Sequence, residues 1–272
     1  SLALKRKYQK YMSRHKVFND LIEFLKVRHM IPAIFFTLSR KKCEKFAKGV
    51  TVPLNTSLEQ AEVGHQIDHF LLKLDNYKHY IKMDQYFVLR DLMIKGVAFH
   101  HSGLVPVFKE LIEILFEKQL IKVLFVTETF AVGINMPVKT VCFSGITKYS
   151  DGGFRNLLAH EMAQMSGRAG RRGKDDVGYS ILIPNLYDLP SPSKMRDMIC
   201  GKNQTIRSKF SPNFQFLLKL ILTGNNLIMK FVQNSLLNKE IVADGKALEE
   251  QIENIKLPSE DFGVYQKYDD LL

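Results

Sequence analysis

The sequence contains few cysteines and no long apolar segment. Its three cysteines, Cys43, Cys142 and Cys200, lie far apart, and none belongs to a Cys-x-x-Cys pair. This spacing offers neither a disulfide framework nor a zinc site, so we expect reduced thiols. No apolar run approaches the roughly 20 residues that a membrane-spanning helix needs. Residues 1–6 also lack the apolar stretch of a secretory signal, which predicts an intracellular protein without a membrane partner.

Acidic residues are scarce at the start of the chain. Residues 1–50 hold 13 Lys and Arg against 3 Asp and Glu. Their excess positive charge accounts for almost the whole formal net charge of +11. Such a local basic stretch is compatible with a nearby phosphate backbone. It is equally compatible with a solvated lysine-rich leader, and charge by itself does not decide between the two.

Short apolar runs alternate with helical patterns along most of the chain. Residues 32–38 are typical of a buried strand, and apolar residues at helical spacing precede them. This alternation predicts an α/β fold, a parallel sheet flanked by helices, including a helix over residues 155–166. The length of 272 residues favours about two domains.

A proline-rich stretch predicts where the first domain ends. Pro184, Pro190 and Pro192 interrupt the alternation, and the chain beyond them has mostly helical patterns. The predicted division is therefore as follows: a basic leader or linker over 1–16, an α/β domain over 17–186, a linker over 187–200 and a helical segment over 201–272.

The segment that carries most chemistry is Gln-Met-Ser-Gly-Arg-Ala-Gly-Arg-Arg-Gly at residues 164–173. Its three glycines allow tight turns and close backbone approach to a ligand. Arg168 and Arg171 are three residues apart, so we expect them on one side of the last helical turn, facing outward. Two guanidinium groups suit a phosphate chain. The alternatives are a disordered Arg-Gly tail or a solvated basic turn.

The same segment resembles motif VI of the superfamily-two helicases. Residues 127–137 resemble motif V in the form found in superkiller-like DExH-box RNA helicases, residues 98–104 resemble that family's sheet-edge motif, and residues 32–47 resemble motif IV. The resemblance implies that the α/β domain is a second RecA-like motor domain. Residues 201–220 are similar to the entry into the winged-helix region of the exosome-associated members, which implies that the helical segment begins that region.

The resemblance also implies roles for individual residues. It places Gln164, Arg168 and Arg171 at the nucleotide, with Arg168 and Arg171 reaching the γ-phosphate and Arg171 as the arginine finger. It places Gly133 and Asn135 at the nucleotide too. The implied contacts to a single-stranded RNA backbone are Thr127, Ser39, Arg40, Ser102 and Gly103. No metal site is predicted, because the His-Glu-x-x-Gln sequence at 160–164 lacks the second histidine of a zinc helix.

Two motifs of a complete motor are missing. The sequence has neither a Gly-x-x-x-x-Gly-Lys-Ser/Thr loop nor an Asp-Glu-x-His segment, so the groups that hold the ATP β-phosphate and Mg²⁺ are absent. The resemblance implies that an upstream first RecA-like domain supplies them, and the chain should be inactive alone.

The resulting hypothesis is half of an ATP-dependent 3′-to-5′ RNA helicase that prepares RNA for the exosome and its adaptor proteins, in the nucleus or the cytoplasm. The alternatives are a non-catalytic RNA- or protein-binding module of the same fold, and a DNA helicase of the same superfamily.

Overall fold

The computed structural model of the chain divides into two compact units, residues 1–203 and residues 204–272. The structure describes residues 13–130, 138–150, 152–171, 173–184, 186–187, 189–201, 213–222 and 227–254. Most of the predicted basic leader, over 1–16, therefore lies outside the described residues.

A parallel sheet of five strands forms the centre of the first unit, in the order β2-β3-β1-β4-β7. These strands are β1 (Ala33–Phe36), β2 (Val97–His100), β3 (Val123–Val126), β4 (Thr140–Phe143) and β7 (Tyr179–Leu182). The predicted parallel α/β sheet is confirmed. Because the strands run in one direction, their carboxyl ends share one edge of the sheet, the carboxyl edge, and their amino ends share the opposite amino edge.

Helices surround this sheet. In the described part of the first unit they are α1 (Arg14–Val27), α2 (Arg40–Lys48), α3 (Ser57–Leu72), α4 (Tyr77–Tyr80), α5 (Asp84–Ile94), α6 (Pro106–Glu117), α7 (Ala159–Ser166) and α8 (Pro192–Cys200). Local chemistry sets several of their starts. A capping box between Thr56 and Glu59 begins α3, and Pro106 occupies the first turn of α6, where a missing backbone N–H leaves no helical hydrogen bond unmade.

The core lies between the sheet and these helices. Every residue of the four strands β1 to β4 is buried, which explains why their sequences are near-continuous apolar runs. Phenylalanine rings join the layers: the Phe35 ring on β1 stacks on Phe125 of β3 at 5.0 Å, and Phe18 of α1 packs edge-on against Phe125 at 5.6 Å. This packing fixes the sheet edges that carry the candidate site.

A two-stranded antiparallel sheet follows β4 and replaces the start of a predicted helix. It consists of β5 (Thr147–Ser150) and β6 (Gly153–Asn156), and we call residues 147–156 the hairpin. The prediction of a helix over residues 155–166 is wrong at its start, because Arg155 pairs with Lys148 in the hairpin. The helix, α7, begins only at Ala159.

The predicted linker over 187–200 contains a helix. Ser191 caps α8 by accepting a hydrogen bond from the Lys194 backbone, Pro192 fits the first turn, and α8 packs on α7 with Met198 buried. The cap and the proline together explain why a Ser-Pro sequence starts a helix here instead of an irregular connection.

The second unit is helical in its described part, with α9 (Phe214–Leu222), α10 (Leu227–Asn234) and α11 (Leu236–Glu253). The rings of Phe216 and Phe231 lie 5.0 Å apart. In the described residues of both units, no helix combines the length and the apolar composition that crossing a membrane requires.

Candidate functional site

Candidate RNA contacts gather at the carboxyl edge of the sheet. Ser39 follows β1 and precedes α2, Ser102 and Gly103 follow β2, and Thr127 comes directly after β3. The Thr127 hydroxyl lies 3.0 Å from that of Thr129, and its backbone N–H donates to the His100 carbonyl at 3.3 Å. Three adjacent strands of the sheet, β2, β3 and β1, are thus each followed by small polar groups at this edge. Such groups can bind a phosphate backbone.

A buried histidine holds the turn after β2. The Gly103 N–H donates to Nδ1 of His101 at 3.1 Å, so Nε2 carries the ring proton and donates to Glu44 Oε1, also at 3.1 Å. Burial lowers the pKa of His101, which keeps the ring neutral in this role. A Cβ at Gly103 would lie 3.7 Å from Cδ of Arg40, so Arg40 and Gly103 are neighbours.

The neighbouring His100 has a different partner. Its Nε2 lies 2.8 Å from Glu113 of α6, whereas His101 contacts α2. In the described part of the chain, no three histidine, cysteine or carboxylate side chains are grouped to hold a metal ion.

A cleft of about 440 Å³ opens beside the hairpin at the same edge. Its lining includes Ser39, the basic residues Arg14 and Lys42, and Tyr149 and Phe154 of the hairpin. The two hairpin rings contact each other at 5.4 Å, yet Tyr149 remains 66% exposed and Phe154 80% exposed. Cations beside exposed aromatic faces form a surface suited to a single nucleic-acid strand.

Sequence reasoning missed these aromatic residues, although a signal was present. Thr-Lys-Tyr-Ser and Gly-Phe-Arg-Asn flank an Asp-Gly pair at 151–152, and Asp-Gly is a hairpin turn signal. Gly152 has a φ of +83°, the left-handed conformation that such a turn uses.

Four charged side chains join the hairpin to its neighbours. Lys148 Nζ lies 2.7 Å from Glu128 Oε2 and 2.8 Å from Glu161 Oε1. Arg155 binds the same Glu161 with two nitrogens, at 2.8 and 2.9 Å. Although burial alone would raise the pKa of Glu161, hydrogen bonds from Arg155, the Leu158 backbone and Lys148 lower it to about 2. We call Glu128, Lys148, Arg155 and Glu161 the ionic cluster.

The candidate nucleotide residues lie towards the amino edge. The helix α7 carries exposed Gln164 and ends at Ser166. Arg168 and Arg171 therefore follow the helix. The expectation that they occupy its last turn is wrong. The Val138 N–H donates to the Arg168 carbonyl at 2.9 Å, and the Gly170 N–H donates to the Val138 carbonyl at 2.6 Å. This parallel bridge beside the start of β4 fixes residues 168–170. We call residues 167–175 the arginine segment.

Glycines inside and beside the arginine segment allow its conformation. Gly170 has a φ of +92°, as its predicted tight turn requires. Gly178, just before β7, was not singled out from the sequence. A Cβ there would lie 2.5 Å from the Ala169 carbonyl and the Gly170 nitrogen, so only glycine lets the segment pack against the sheet.

Arg171 is turned towards an acidic neighbour, which corrects the expectation that both guanidinium groups face outward. Its Nε donates to Asp175 Oδ2 at 2.7 Å and its Nη2 to Asp175 Oδ1 at 2.9 Å. The side chain of Asp175 is only 3% exposed, and the hydrogen bonds from Arg171 lower its pKa to about 2. One edge of the guanidinium is therefore held, and Nη1 and the second hydrogen of Nη2 face away from that contact.

The other predicted nucleotide residues stay predictions. Arg168 is half-buried, and Gly133 and Asn135 lie outside the described residues. The structure places Gln164 on α7, and Arg168 and Arg171 in the segment that follows α7.

No protein-family model matches the chain. Individual proteins do match. The human Superkiller complex protein 2 is 37% identical over 206 residues, which is 75% of this chain and 16% of that protein. The antiviral helicase SKI2 of Saccharomyces cerevisiae is 36% identical over 208 residues, 76% of this chain and 16% of that protein. The human Exosome RNA helicase MTR4 is 37% identical over 202 residues, 74% of this chain and 19% of that protein. The chain thus spans about a fifth or less of the length of these curated relatives.

Proposed function

Because this chain is a region of the superkiller-like DExH-box RNA helicases, we propose that it is the second motor domain of an ATP-dependent RNA helicase. In this proposal it completes the ATP site with arginine side chains and grips one RNA strand. Hydrolysis elsewhere in the motor changes that grip, so the strand advances in the 3′-to-5′ direction.

The observation that carries the proposal is that contacts hold both Arg168 and Arg171. Asp175 holds one edge of the Arg171 guanidinium, and the bridge to Val138 holds the backbone of Arg168. A guanidinium whose position is already fixed loses little conformational freedom when it meets a phosphate. Such a group can stabilise the charge that develops on the γ-phosphate, which is the role of an arginine finger.

The chemistry of the cofactors supports an ATP site that this chain shares with another domain. ATP supplies the phosphoryl group, and Mg²⁺ neutralises charge on its β- and γ-phosphates. The described residues include no grouped metal ligands and the sequence has no phosphate-binding loop. Gln164, Arg168 and Arg171 fit the outer end of a triphosphate. We assign Mg²⁺ and the β-phosphate to a first RecA-like domain upstream, and we assign Gly133 and Asn135 to the same nucleotide.

The carboxyl edge supports the RNA assignment. Thr127, Ser39 and the turn at Ser102 and Gly103 offer hydroxyl and N–H groups that bind phosphates without reading bases, and Arg40 adds a positive charge. Recognition is then largely independent of RNA sequence. Contacts of this kind separate RNA from DNA poorly, so a DNA helicase is the second candidate. The name of one relative, the human Exosome RNA helicase MTR4, favours RNA.

The cellular setting follows from the same relatives. One is named as an exosome helicase and another as part of a superkiller complex. We therefore propose that the whole protein delivers RNA to an exosome through adaptor proteins, in the nucleus or the cytoplasm. In this proposal the linker over 187–200 follows the motor domain, and the helical segment over 201–272 begins a winged-helix region.

ATP turnover with and without RNA tests the proposal. The 272-residue chain alone should bind single-stranded RNA but hydrolyse no ATP, whereas the full-length protein should hydrolyse ATP faster when RNA is present. Unwinding of matched RNA and DNA duplexes by the full-length protein distinguishes the two helicase candidates. Turnover by the chain alone, or none by the full-length protein, would contradict the proposed function.

A further inference from the structure

The helix α7 joins the two edges of the sheet. It starts beside the hairpin, where the Leu157 N–H donates to the Ile146 carbonyl at 2.8 Å beyond the carboxyl end of β4. It ends at Ser166, just before Arg168 bonds to Val138 at the amino end of β4. Eight residues at about 1.5 Å each span roughly 12 Å. A displacement of its start therefore reaches the arginine segment through one rigid element.

The ionic cluster holds the start of α7. Glu161 lies in the first turn and accepts hydrogen bonds from the Leu158 backbone at 2.8 Å and from two nitrogens of Arg155. The third partner residue is Lys148, whose Nζ lies 2.8 Å from Glu161 Oε1. Glu161 is 13% exposed and Lys148 is 17% exposed, so water screens these contacts less than it screens an ordinary surface ion pair.

Lys148 connects this helix to the segment after β3. Its ammonium lies between Glu161 and Glu128, and Glu128 is next to the candidate RNA contact Thr127. Lys148 itself is in β5, one residue before the exposed ring of Tyr149. Without Lys148 the two carboxylates would lose their shared cation, while Arg155 and the Leu158 backbone would still hold Glu161. Lys148 thus links the hairpin, the segment after β3 and α7. The hydrogen bond from the Leu158 backbone to Glu161, which caps the start of α7, does not depend on it.

We propose that Lys148 and Glu161 are positioning residues that transmit RNA binding at the hairpin and Thr127 to the arginine segment through α7. The proposal rests on the proposed function and adds to it the route by which RNA accelerates ATP hydrolysis. RNA bound on the hairpin restricts the position of Lys148. The contact between Lys148 and Glu161 passes this restriction to the start of α7, and α7 passes it to Gln164 and Arg168 at the nucleotide.

The experiment uses full-length protein with Lys148→Met, Lys148→Arg, Glu161→Gln and the double variant with Lys148→Met and Glu161→Gln. Lys122→Met is the matched control, because Lys122 is 18% exposed, binds Glu59 at 2.6 Å and precedes the amino end of β3. For each protein, kcat and KM for ATP are measured without RNA and at saturating single-stranded RNA, together with RNA affinity and Tm.

We expect Lys148→Met to lower the stimulation of kcat by RNA roughly 5-fold or more, the usual size of coupling between two sites. Its RNA-free kcat and its KM for ATP should stay near the wild-type values. The double variant should lose no more stimulation than the more affected single variant, because both residues act in one link. Lys148→Arg should restore most of the stimulation, and Lys122→Met should keep all of it.

Two results with the variants would overturn the inference. One is wild-type stimulation in Lys148→Met. The other is an equal fall in kcat with and without RNA, which would make the lysine merely structural. Wild-type protein that hydrolyses ATP without any response to RNA also overturns the inference, but leaves the arginine role standing. Wild-type protein without turnover contradicts the proposed function itself.

Discussion

The two edges of the sheet present opposite kinds of chemistry. At the amino edge the charged group of Arg171 is already paired, and the carboxylate that holds it is only 3% exposed. At the carboxyl edge the hairpin leaves the rings of Tyr149 and Phe154 largely in solvent. The first arrangement fixes charge in place before a ligand arrives, and the second leaves apolar area for a ligand to cover.

This difference matches the two proposed ligands. A triphosphate gains from a guanidinium with a fixed orientation, because the rate depends on charge stabilisation at one position. A sliding RNA strand gains from aromatic faces that accept any base. Changes at the amino edge should therefore alter turnover, and changes at the carboxyl edge should alter RNA affinity.

The largest effect is expected at the amino edge. In the full-length protein, Arg171→Ala should lower ATP turnover roughly 10³- to 10⁵-fold, the range that arginine fingers contribute. RNA affinity should stay near wild type because the carboxyl edge is untouched. Steady-state turnover and RNA titration measure the two quantities.

Arg28→Ala is the control for Arg171→Ala, since Arg28 is an exposed arginine at the end of α1. It should leave both turnover and RNA affinity unchanged. If Arg171→Ala hydrolysed ATP at the wild-type rate, Arg171 would have no role at the nucleotide.

The next largest effect is expected at the hairpin. Replacing Tyr149 and Phe154 together with alanine should weaken single-stranded RNA binding about 10- to 100-fold, since stacking of one base on an aromatic ring contributes roughly 1–3 kcal/mol. Fluorescence anisotropy with a labelled oligonucleotide measures this loss. Phe87→Ala on α5, which removes another exposed ring, is the control. Equal affinity in the hairpin variant and this control would remove the hairpin from the RNA path.

A smaller effect is expected from Asp175→Asn. The change keeps the size of the side chain but removes the charge that orients Arg171, and charge-assisted hydrogen bonds contribute roughly 1.5–3 kcal/mol. Turnover of the full-length protein should fall about 10-fold, with KM for ATP changed less than kcat. An increase in turnover would instead mean that Asp175 withholds Arg171 from the nucleotide.

The smallest effect concerns acid stability. The pKa of Asp175 and of Glu161 is about 2, below the ordinary values of 3.8 and 4.5. Ionised forms are thus favoured in the folded state, so their contribution to stability is complete above about pH 4.5 and is lost as the pH falls towards 2. Asp175→Asn and Glu161→Gln should each lower Tm at pH 7 and flatten its fall below pH 4.5. A wild-type profile in both variants would contradict these shifts.

Sequence reasoning worked best where burial dictates residue type. The runs at β1 to β3 are apolar because helices cover both faces, so alternating runs and helical patterns suffice to predict the parallel sheet. Likewise, Val17, Phe18 and Leu25 predict α1 through their spacing, and all three are buried.

Sequence reasoning failed where a particular strand partner, ion pair or close packing contact decides the local structure. Arg155 looked helical because α7 follows it, but its cross-strand partner Lys148 and the ion pair with Glu161 hold it in a strand. The pairing of Arg171 with Asp175 could not be read from motif spacing, since either an outward or an inward side chain fits that spacing. The glycine at Gly178 matters only because the sheet brings it against the arginine segment.

The most direct test of the account compares two ligands of the full-length protein, ADP with Mg²⁺ and the transition-state mimic formed when aluminium fluoride is added. Wild-type protein with RNA should bind the mimic far more tightly than ADP alone, and Arg171→Ala should lose most of that preference while its affinity for ADP stays unchanged. If Arg171→Ala kept the full preference, the claim that this chain supplies the arginine finger would be contradicted.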